Sequence, residues 1–256
     1  MLLLFDIGNT MISAALVQGQ KVLARGQILS RQKEVTLRRE LGPLIRRLVK
    51  REKALDAIIV TSVVPDVTRV VARVVRDVLK KDVLLVGRDL IVPIKNLYRQ
   101  PKQVGQDRLV CAYAAKEIYG APVIVLDLGT AITVDVISAK GAYLGGMIIP
   151  GLRLSAEALF QKTALLPLTE IRRPTALIGR DTRDSILSGL FYGYGAMMRG
   201  VVEEISVHLK ASPAVVMTGG YAEVMKSFLK IKKPAIERDL IFKGMALLWE
   251  SELPRS

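Results

Sequence analysis

Val125-Leu126-Asp127-Leu128-Gly129-Thr130-Ala131-Ile132-Thr133-Val134-Asp135 is the stretch whose reading decides the fold. An apolar run, Val123–Leu126, stops on a carboxylate, turns on Gly129 and Thr130, and gives way to a second strand-like segment, Ile132–Ile137. A buried strand that ends this way begins a tight hairpin, with glycine supplying the sharp bend. The same pattern opens the chain. Leu2–Phe5 reads as a strand, Phe5-Asp6-Ile7-Gly8-Asn9-Thr10 repeats the Asp–apolar–Gly–polar order, and Ile12–Val17 and Lys21–Ile28 follow around the turn Gln18-Gly19-Gln20. In the second half the third strand is Ala142–Ile149, beyond the turn Ala139-Lys140-Gly141. Later junctions correspond as well, Val60-Thr61-Ser62 with Met217-Thr218-Gly219-Gly220. Two copies of a motif series in one order imply a duplicated domain rather than a solenoid array. The expected fold class is α/β, with two domains of like topology, residues 1–118 and 119–256, each a mixed sheet flanked by helices, with a cleft between them.

Between these landmarks the periodicity alternates. Apolar residues at helical spacing (Leu37, Leu41, Leu44, Ile45 and Leu48) mark a helix over Val35–Arg51, and further helices are expected at Asp66–Lys80, Gln106–Tyr119, Leu152–Phe160, Val201–Lys210 and Ala222–Leu229. Short apolar runs at Ala57–Thr61, Val83–Val86 and Ala214–Met217 read as buried strands, and Pro93–Gly105 reads as a loop.

Composition narrows the chemistry. Half of the 256 residues are hydrophobic and aromatics are few, the make-up of buried strands covered by helices. The single cysteine, Cys111, excludes an intrachain disulfide and a multi-cysteine zinc site, and reads as a buried helix residue. One histidine, His208, excludes paired-histidine metal motifs and is expected on a helix surface. Trp249 is expected to serve packing. The opening run Met1–Phe5 is short and meets Asp6 without a basic leader, and Pro122–Ile137 is interrupted by Asp127 and Asp135, so neither a secretory signal nor a membrane span is read, and a soluble cytoplasmic protein is expected. The formal charge is +14, from 38 Lys and Arg against 24 Asp and Glu. The basic residues, such as Arg38, Arg39, Arg46, Arg47, Lys50 and Arg51, are spread along helices, with no RNA motif or basic arm beside them. Solvated helix faces, rather than a nucleic-acid surface, are the expectation, and the charge suits anionic small substrates such as nucleotides.

Four elements carry candidate chemistry. The backbone amides of Asp6–Ser13 can face a phosphate while the Asp6 carboxylate holds Mg²⁺ through water, since Mg²⁺ prefers few carboxylates plus phosphate oxygens. An ordinary hairpin with an Asx-type turn would give the same residues. The copy at Asp127–Thr130 favours the first reading, because two such loops facing one another make a phosphate clamp. Thr218-Gly219-Gly220-Tyr221-Ala222 places bare backbone before a helix start, suited to a nucleoside or anion, or else is a plain strand-to-helix turn. Gly145-Gly146-Met147-Ile148-Ile149-Pro150-Gly151 reads as a strand end and a rigid turn into the next helix. In Val104-Gly105-Gln106-Asp107-Arg108, Asp107 lies near a helix N-terminus, where it is expected to stay ionised and can accept the proton of an alcohol during phosphoryl transfer. Arg108 can pair with a substrate carboxylate, although an N-capping aspartate with a surface arginine is the alternative. No P-loop and no dinucleotide-binding glycine fingerprint is present.

Taken in order, these segments resemble one family, the type III pantothenate kinases of bacterial coenzyme A synthesis. The resemblance rests on Asp6-Ile7-Gly8-Asn9-Thr10, Tyr98-x-x-Pro101-x-x-Val104-Gly105-x-Asp107-Arg108, Asp127 through Asp135, Gly145–Leu152, Gly179–Thr182 with Ser188-Gly189, and Thr218-Gly219-Gly220. It implies two duplicated RNase H-like (actin-like ATPase) domains and transfer of the ATP γ-phosphoryl group to the primary hydroxyl of pantothenate. On the same basis Asp6, Ile7, Gly8, Asn9, Thr10, Met11, Ile12 and Ser13 would contact ATP phosphates and Mg²⁺, with Thr130 also binding ATP. Met11-Ile12-Ser13 carries no distinctive residues of its own. Asp127 would bind a monovalent cation, K⁺ or NH₄⁺, and Asp107 would be the proton acceptor. Tyr98, Gly105, Gln106, Asp107, Arg108 and Thr182 would line the pantothenate pocket, completed at the interface of a homodimer. Two rivals stand beside this reading: a non-catalytic member of the fold acting as a transcriptional regulator or scaffold, and a kinase for a sugar or another alcohol.

Overall fold

The first strand of the chain, β1 (Leu2–Ile7), pairs antiparallel with β2 (Met11–Gln18), and β2 with β3 (Lys21–Leu29). Helix α1 (Glu34–Val49) follows, then β4 (Ala57–Ser62), α2 (Pro65–Leu79) and the two-residue β5 (Leu84–Leu85). The computed structural model describes residues 1–50 and 54–253, so Arg51, the last residue of the expected first helix, lies outside the described residues. Strand order is β3-β2-β1-β4-β5, with β4 and β5 joining in parallel. Strand alternation sends Leu3, Phe5, Ile7, Ile12, Ala14, Leu16, Ile58 and Val60 to one face, where α1 and α2 cover them with Leu37, Leu41, Ile45, Val71 and Val75. Proline at the start of α2 suits a position whose N–H has no helical acceptor.

After α3 (Gln106–Tyr119) the arrangement is rebuilt. Strands β6 (Val123–Leu128), β7 (Ala131–Ile137) and β8 (Tyr143–Pro150) form an antiparallel meander, followed by α4 (Leu152–Lys162) and α5 (Thr182–Ser188). A π-helical turn, Gly189–Gly193, runs on into α6 (Tyr194–Leu209), and β9 (Ala214–Thr218), α7 (Ala222–Leu229) and β10 (Ala235–Ile236) complete the set. The second sheet has the order β10-β9-β6-β7-β8, the first sheet's order written in reverse. Register confirms the duplication residue by residue. Asp6 sits opposite Ser13 and Thr61, and Asp127 sits opposite Thr133 and Thr218. Even the irregularity is copied, with the register shift at Leu16/Val17 recurring at Val136/Ile137. Inside the second sheet, Ile124, Leu126, Leu128, Ile132, Val134 and Met217 pack against the helices through Leu152, Phe191, Met198, Met225 and Phe228.

The chain divides into two compact units, Met1–Glu117 with Asp239–Ser256, and Ile118–Arg238. This corrects the expected 119–256 block, because the last helix, α8 (Leu240–Glu252), belongs to the first unit. It packs on β1 and β2, on the sheet face opposite α1 and α2. There Leu2, Leu4, Ala15 and Val17 are buried, as are Leu240, Phe242, Met245 and Leu248 on the helix. Burial is worth about 1.5–3 kcal/mol for each large apolar side chain. The Arg25–Asp239 ion pair at the start of α8 spans 3.1 Å with a half-exposed arginine, and such pairs contribute at most about 1 kcal/mol. Apolar burial therefore decides where the helix goes. Gly244 lets α8 approach α3, since a Cβ there would lie 2.6 Å from Val110 Cγ1. Cys111 is buried in α3, His208 is exposed on α6, and Trp249 is half-buried on α8. Among the described residues no helix is long and apolar enough to cross a membrane.

Candidate active site

In the first unit the carboxyl end of β1 leads into the loop Gly8-Asn9-Thr10, closed by a hydrogen bond from the Gly8 N–H to the Met11 carbonyl (3.0 Å). Ser30, just past β3 and only 3 % exposed, holds this loop from beneath. Its hydroxyl donates to the Gly8 carbonyl (2.7 Å) and its N–H to the Thr10 carbonyl (2.9 Å). Beside Asp6 in register is Thr61, fully buried, whose Oγ1 has no hydrogen-bond partner in the protein. Past β4, the Val63 N–H donates to the Ile7 carbonyl (3.1 Å), extending the ladder beyond the strand.

Val63 also connects the loop to the expected proton acceptor. A Cβ placed on Gly105 would lie 3.7 Å from Val63 Cγ1 and 2.3 Å from Asp107 Oδ1. Glycine at 105 therefore leaves the space that the Asp107 carboxylate fills as it folds back over the helix start. Asp107 is the second residue of α3 rather than its cap. Its Oδ1 accepts from the Arg108 N–H (2.9 Å). Burial pushes the Asp107 carboxyl above the ordinary carboxylate range, and the Arg108 N–H and charge pull against that rise. Gln106 is seated against Gly87, where a Cβ would meet its side-chain amide at 2.6 Å and φ is +86°. Tyr98 lies in the preceding loop, half-buried, its N–H donating to Asn96 Oδ1 (2.9 Å).

The second unit gathers its own motif residues. Gly129 donates to the Ala131 carbonyl (3.2 Å), so this hairpin is one residue shorter than the first. The Gly151 N–H donates to the Thr130 carbonyl (3.1 Å), as Ser30 does to Thr10 in the other unit. A Cβ on Gly151 would lie 2.3 Å from the Thr130 carbonyl oxygen and 2.5 Å from that of Gly129. Tyr194 OH donates to the neighbouring Pro150 carbonyl (2.8 Å) and fixes this end of β8. Gly219, at φ +86°, closes over the loop: a Cβ there would sit 2.4 Å from Asp127 Oδ1 and 2.7 Å from the Leu128 backbone. The Tyr221 N–H donates to the Leu128 carbonyl (3.1 Å), so the Thr218-Gly219-Gly220 turn is bonded to the Asp127 loop. Asp135, 1 % exposed, accepts from Tyr143 OH (2.7 Å) and Thr133 Oγ1 (3.0 Å).

Thr182 belongs to the second unit. It is exposed at the start of α5, where Asp181 caps the helix by accepting from the Asp184 N–H (2.8 Å). It lines an apolar cavity of about 340 Å³ with Leu159, Leu166, Ser185, Ile186 and Leu190. Sequence reasoning missed Ser30 and the matching part played by Gly151. Extending the comparison of the halves past the third strand would have set the two opposite each other.

Two mixed five-stranded sheets of one topology, each opening on an Asp-x-Gly hairpin, define the actin-like, RNase H-like fold class. A ROK family glucokinase from Streptomyces griseus shares this fold, with a TM-score of 0.51 and 12 % identity over 95 % of this chain and 97 % of that one. A conserved putative Baf family transcriptional activator from Campylobacter jejuni superimposes with a TM-score of 0.59 at 20 % identity, covering 97 % and 98 % of the two chains. Within that class, the model of the type III pantothenate kinase family matches residues 2–204. The type III pantothenate kinase of Geobacter sulfurreducens is 35 % identical over 98 % of both chains. That of Persephonella marina is 43 % identical over 72 % of this chain and 71 % of its own. The chain belongs to the type III pantothenate kinase family.

Proposed function

We propose that the chain transfers the γ-phosphoryl group of ATP to the primary hydroxyl of pantothenate, giving 4′-phosphopantothenate, the first step of coenzyme A synthesis. Family membership supplies the substrate, and the observation that carries the mechanism is Asp107, a half-buried carboxylate held back over a helix start by Gly105. A carboxyl lifted above its ordinary range by burial is a better base for an alcohol proton, because its affinity for protons lies nearer the working pH. Asp107 takes the hydroxyl proton as the new oxygen–phosphorus bond forms, the bond to the bridging β,γ-oxygen breaks, and ADP leaves. Arg108 pairs with the pantothenate carboxylate, and Tyr98, Gly105, Gln106 and Thr182 complete the substrate pocket. Phosphoryl transfer needs positioning and charge stabilisation more than covalent help. The loops Asp6–Ser13 and Asp127–Thr130 are suited to ATP phosphates, with Thr130 among the contacts.

Mg²⁺ and a monovalent cation belong to this reading. Among the described residues no cluster of three or more His, Cys, Asp or Glu side chains is poised to hold a metal, and a lone carboxylate such as Asp6 suits an ion shared with phosphate and held through water. Bound Mg²⁺ neutralises charge on the phosphate oxygens. Asp127, whose carboxylate is pressed against the bare backbone of Gly219, is assigned K⁺ or NH₄⁺. A homodimer is supported by large apolar side chains left exposed on the second unit, Ile148, Leu165, Leu177 and Ile178. The cytoplasm, where ATP and pantothenate meet, is the proposed location.

The test is an ADP-release assay against pantothenate and a panel of sugars, with and without K⁺. Turnover with pantothenate, stimulated by K⁺, and a product heavier by one phosphoryl group are expected. Turnover with a sugar and none with pantothenate would overturn the assignment.

A further inference from the structure

We infer that Ser30 is a positioning residue for nucleotide binding, acting through the first hairpin loop; the inference rests on the kinase reading of that loop. A loop that receives an anion must turn N–H groups toward it and keep carbonyl oxygens away, because a carbonyl dipole aimed at a phosphate repels it. The Gly8 N–H is held by the Met11 carbonyl (3.0 Å), and that polarity is further set at the loop's own carbonyls. Ser30 enforces it from outside. The hydroxyl fixes the Gly8 carbonyl (2.7 Å) and the N–H fixes the Thr10 carbonyl (2.9 Å), one on each side of Asn9. None of the hydrogen bonds among the described residues occupies the Asn9 N–H. The Asn9 N–H shares a peptide with the Gly8 carbonyl, so the trans peptide that anchors this carbonyl on Ser30 turns the N–H the other way, and Asn9 itself is exposed.

The placement of Ser30 makes the latch stiff. It is 3 % exposed, so water does not compete for its hydroxyl, and it follows β3 directly, so the sheet sets its position. In the second unit the equivalent residue is Gly151, which fixes only the Thr130 carbonyl and has no side chain to reach the glycine carbonyl of its own loop. The two-residue hairpin there has one peptide fewer to restrain.

Ser30→Ala removes one of the two anchors and leaves the other. The expected result is a rise of about tenfold in the dissociation constant for a non-hydrolysable ATP analogue with Mg²⁺, measured by calorimetry, as one buried hydrogen bond warrants. The KM for ATP rises in parallel, while the KM for pantothenate and kcat stay within about twofold of wild type, a split that general loosening of the fold would not produce. Ser30→Thr, which keeps the hydroxyl, restores nucleotide affinity. Should Ser30→Ala fail to fold, Ser30→Cys, which weakens the donor at nearly constant size, is measured in its place with the same expectation. Wild-type affinity in the Ala or Cys variant, equal rises in both KM values, or failure of Ser30→Thr to restore binding would each overturn the latch. A wild-type chain that binds the analogue but does not phosphorylate pantothenate overturns the substrate assignment and leaves the latch standing. A wild-type chain that binds no analogue overturns both.

Discussion

The two Asp-x-Gly hairpins share strand pairing and register, yet they are held in opposite ways. In the first unit the loop is longer by one residue, and Ser30 holds two of its carbonyls, that of Gly8 through its hydroxyl and that of Thr10 through its backbone N–H. In the second the loop is shorter, and a residue without a side chain, Gly151, lies so close that any Cβ would strike two carbonyl oxygens. Duplication copied the sheet, and each copy then solved the anchoring of its loop locally. The region after the fourth strand diverged further. Behind β4 the chain passes Val63 toward Gly105 and Asp107, whereas behind β9 the first of two glycines, Gly219, closes directly over Asp127. The carboxylate proposed for proton transfer thus has no counterpart in the second unit's Gly-Gly turn.

That asymmetry is most exposed to test at Asp107. Asp107→Asn is expected to keep nucleotide binding and lose about 10²- to 10⁴-fold in kcat, the usual worth of a general base. Near-normal turnover would remove Asp107 from the chemistry and make the two units equivalent in function. Gly151→Ala sharpens the contrast in anchoring. Because the obstructing atoms, at 2.3 Å and 2.5 Å, are backbone oxygens, the second hairpin must shift, at an expected cost of about 1–3 kcal/mol in urea unfolding. An unchanged midpoint would show that the second loop is not anchored by close approach.

Thr61 offers a smaller effect of opposite sign. Its hydroxyl is buried without a protein partner, so Thr61→Val, nearly isosteric and favourable in a strand, should leave the ligand-free protein as stable or up to about 1 kcal/mol more stable. A loss of more than about 1 kcal/mol would mean that the hydroxyl is bonded, for instance to a buried water. The smallest effect is a slope in stability with pH. The Asp107 carboxyl is raised on folding, so the folded state keeps a proton that the unfolded state has released just above 3.8. Its contribution is full below that value and is lost as pH rises through the folded-state pKa. Asp107→Asn removes this slope, and its stability relative to wild type should therefore grow with pH across that window in denaturant melts. A difference that shrinks with rising pH would contradict the burial of Asp107.

Much of this is legible in the amino-acid sequence. The pairing of Phe5–Thr10 with Leu126–Ala131, and of Thr61 with Thr218, reappears as sheet register. The helices at Gln106–Tyr119 and Ala222–Leu229 have the expected ends. These succeeded because strand alternation, helical spacing and glycine turns are local signals. The expected boundary at 119 groups the C-terminal segment with the second half because position along the chain stands there for position in space, and α8 packs in the first unit instead. The face of β1 and β2 left bare by α1 and α2 needed a cover, and only the packed structure shows which segment supplies it.

The sequence by itself determined the duplicated α/β sheets, the acidic-glycine hairpins and the family, since each rests on residue types at short spacing. Tertiary structure alone decided that Ser30 and Gly151 hold those hairpins, that Gly105 leaves room for Asp107, and that burial raises its carboxyl. Those outcomes depend on which groups are pressed together and which are shut off from water. Contacts between residues as far apart as Gly8 and Ser30 have no local sequence signature.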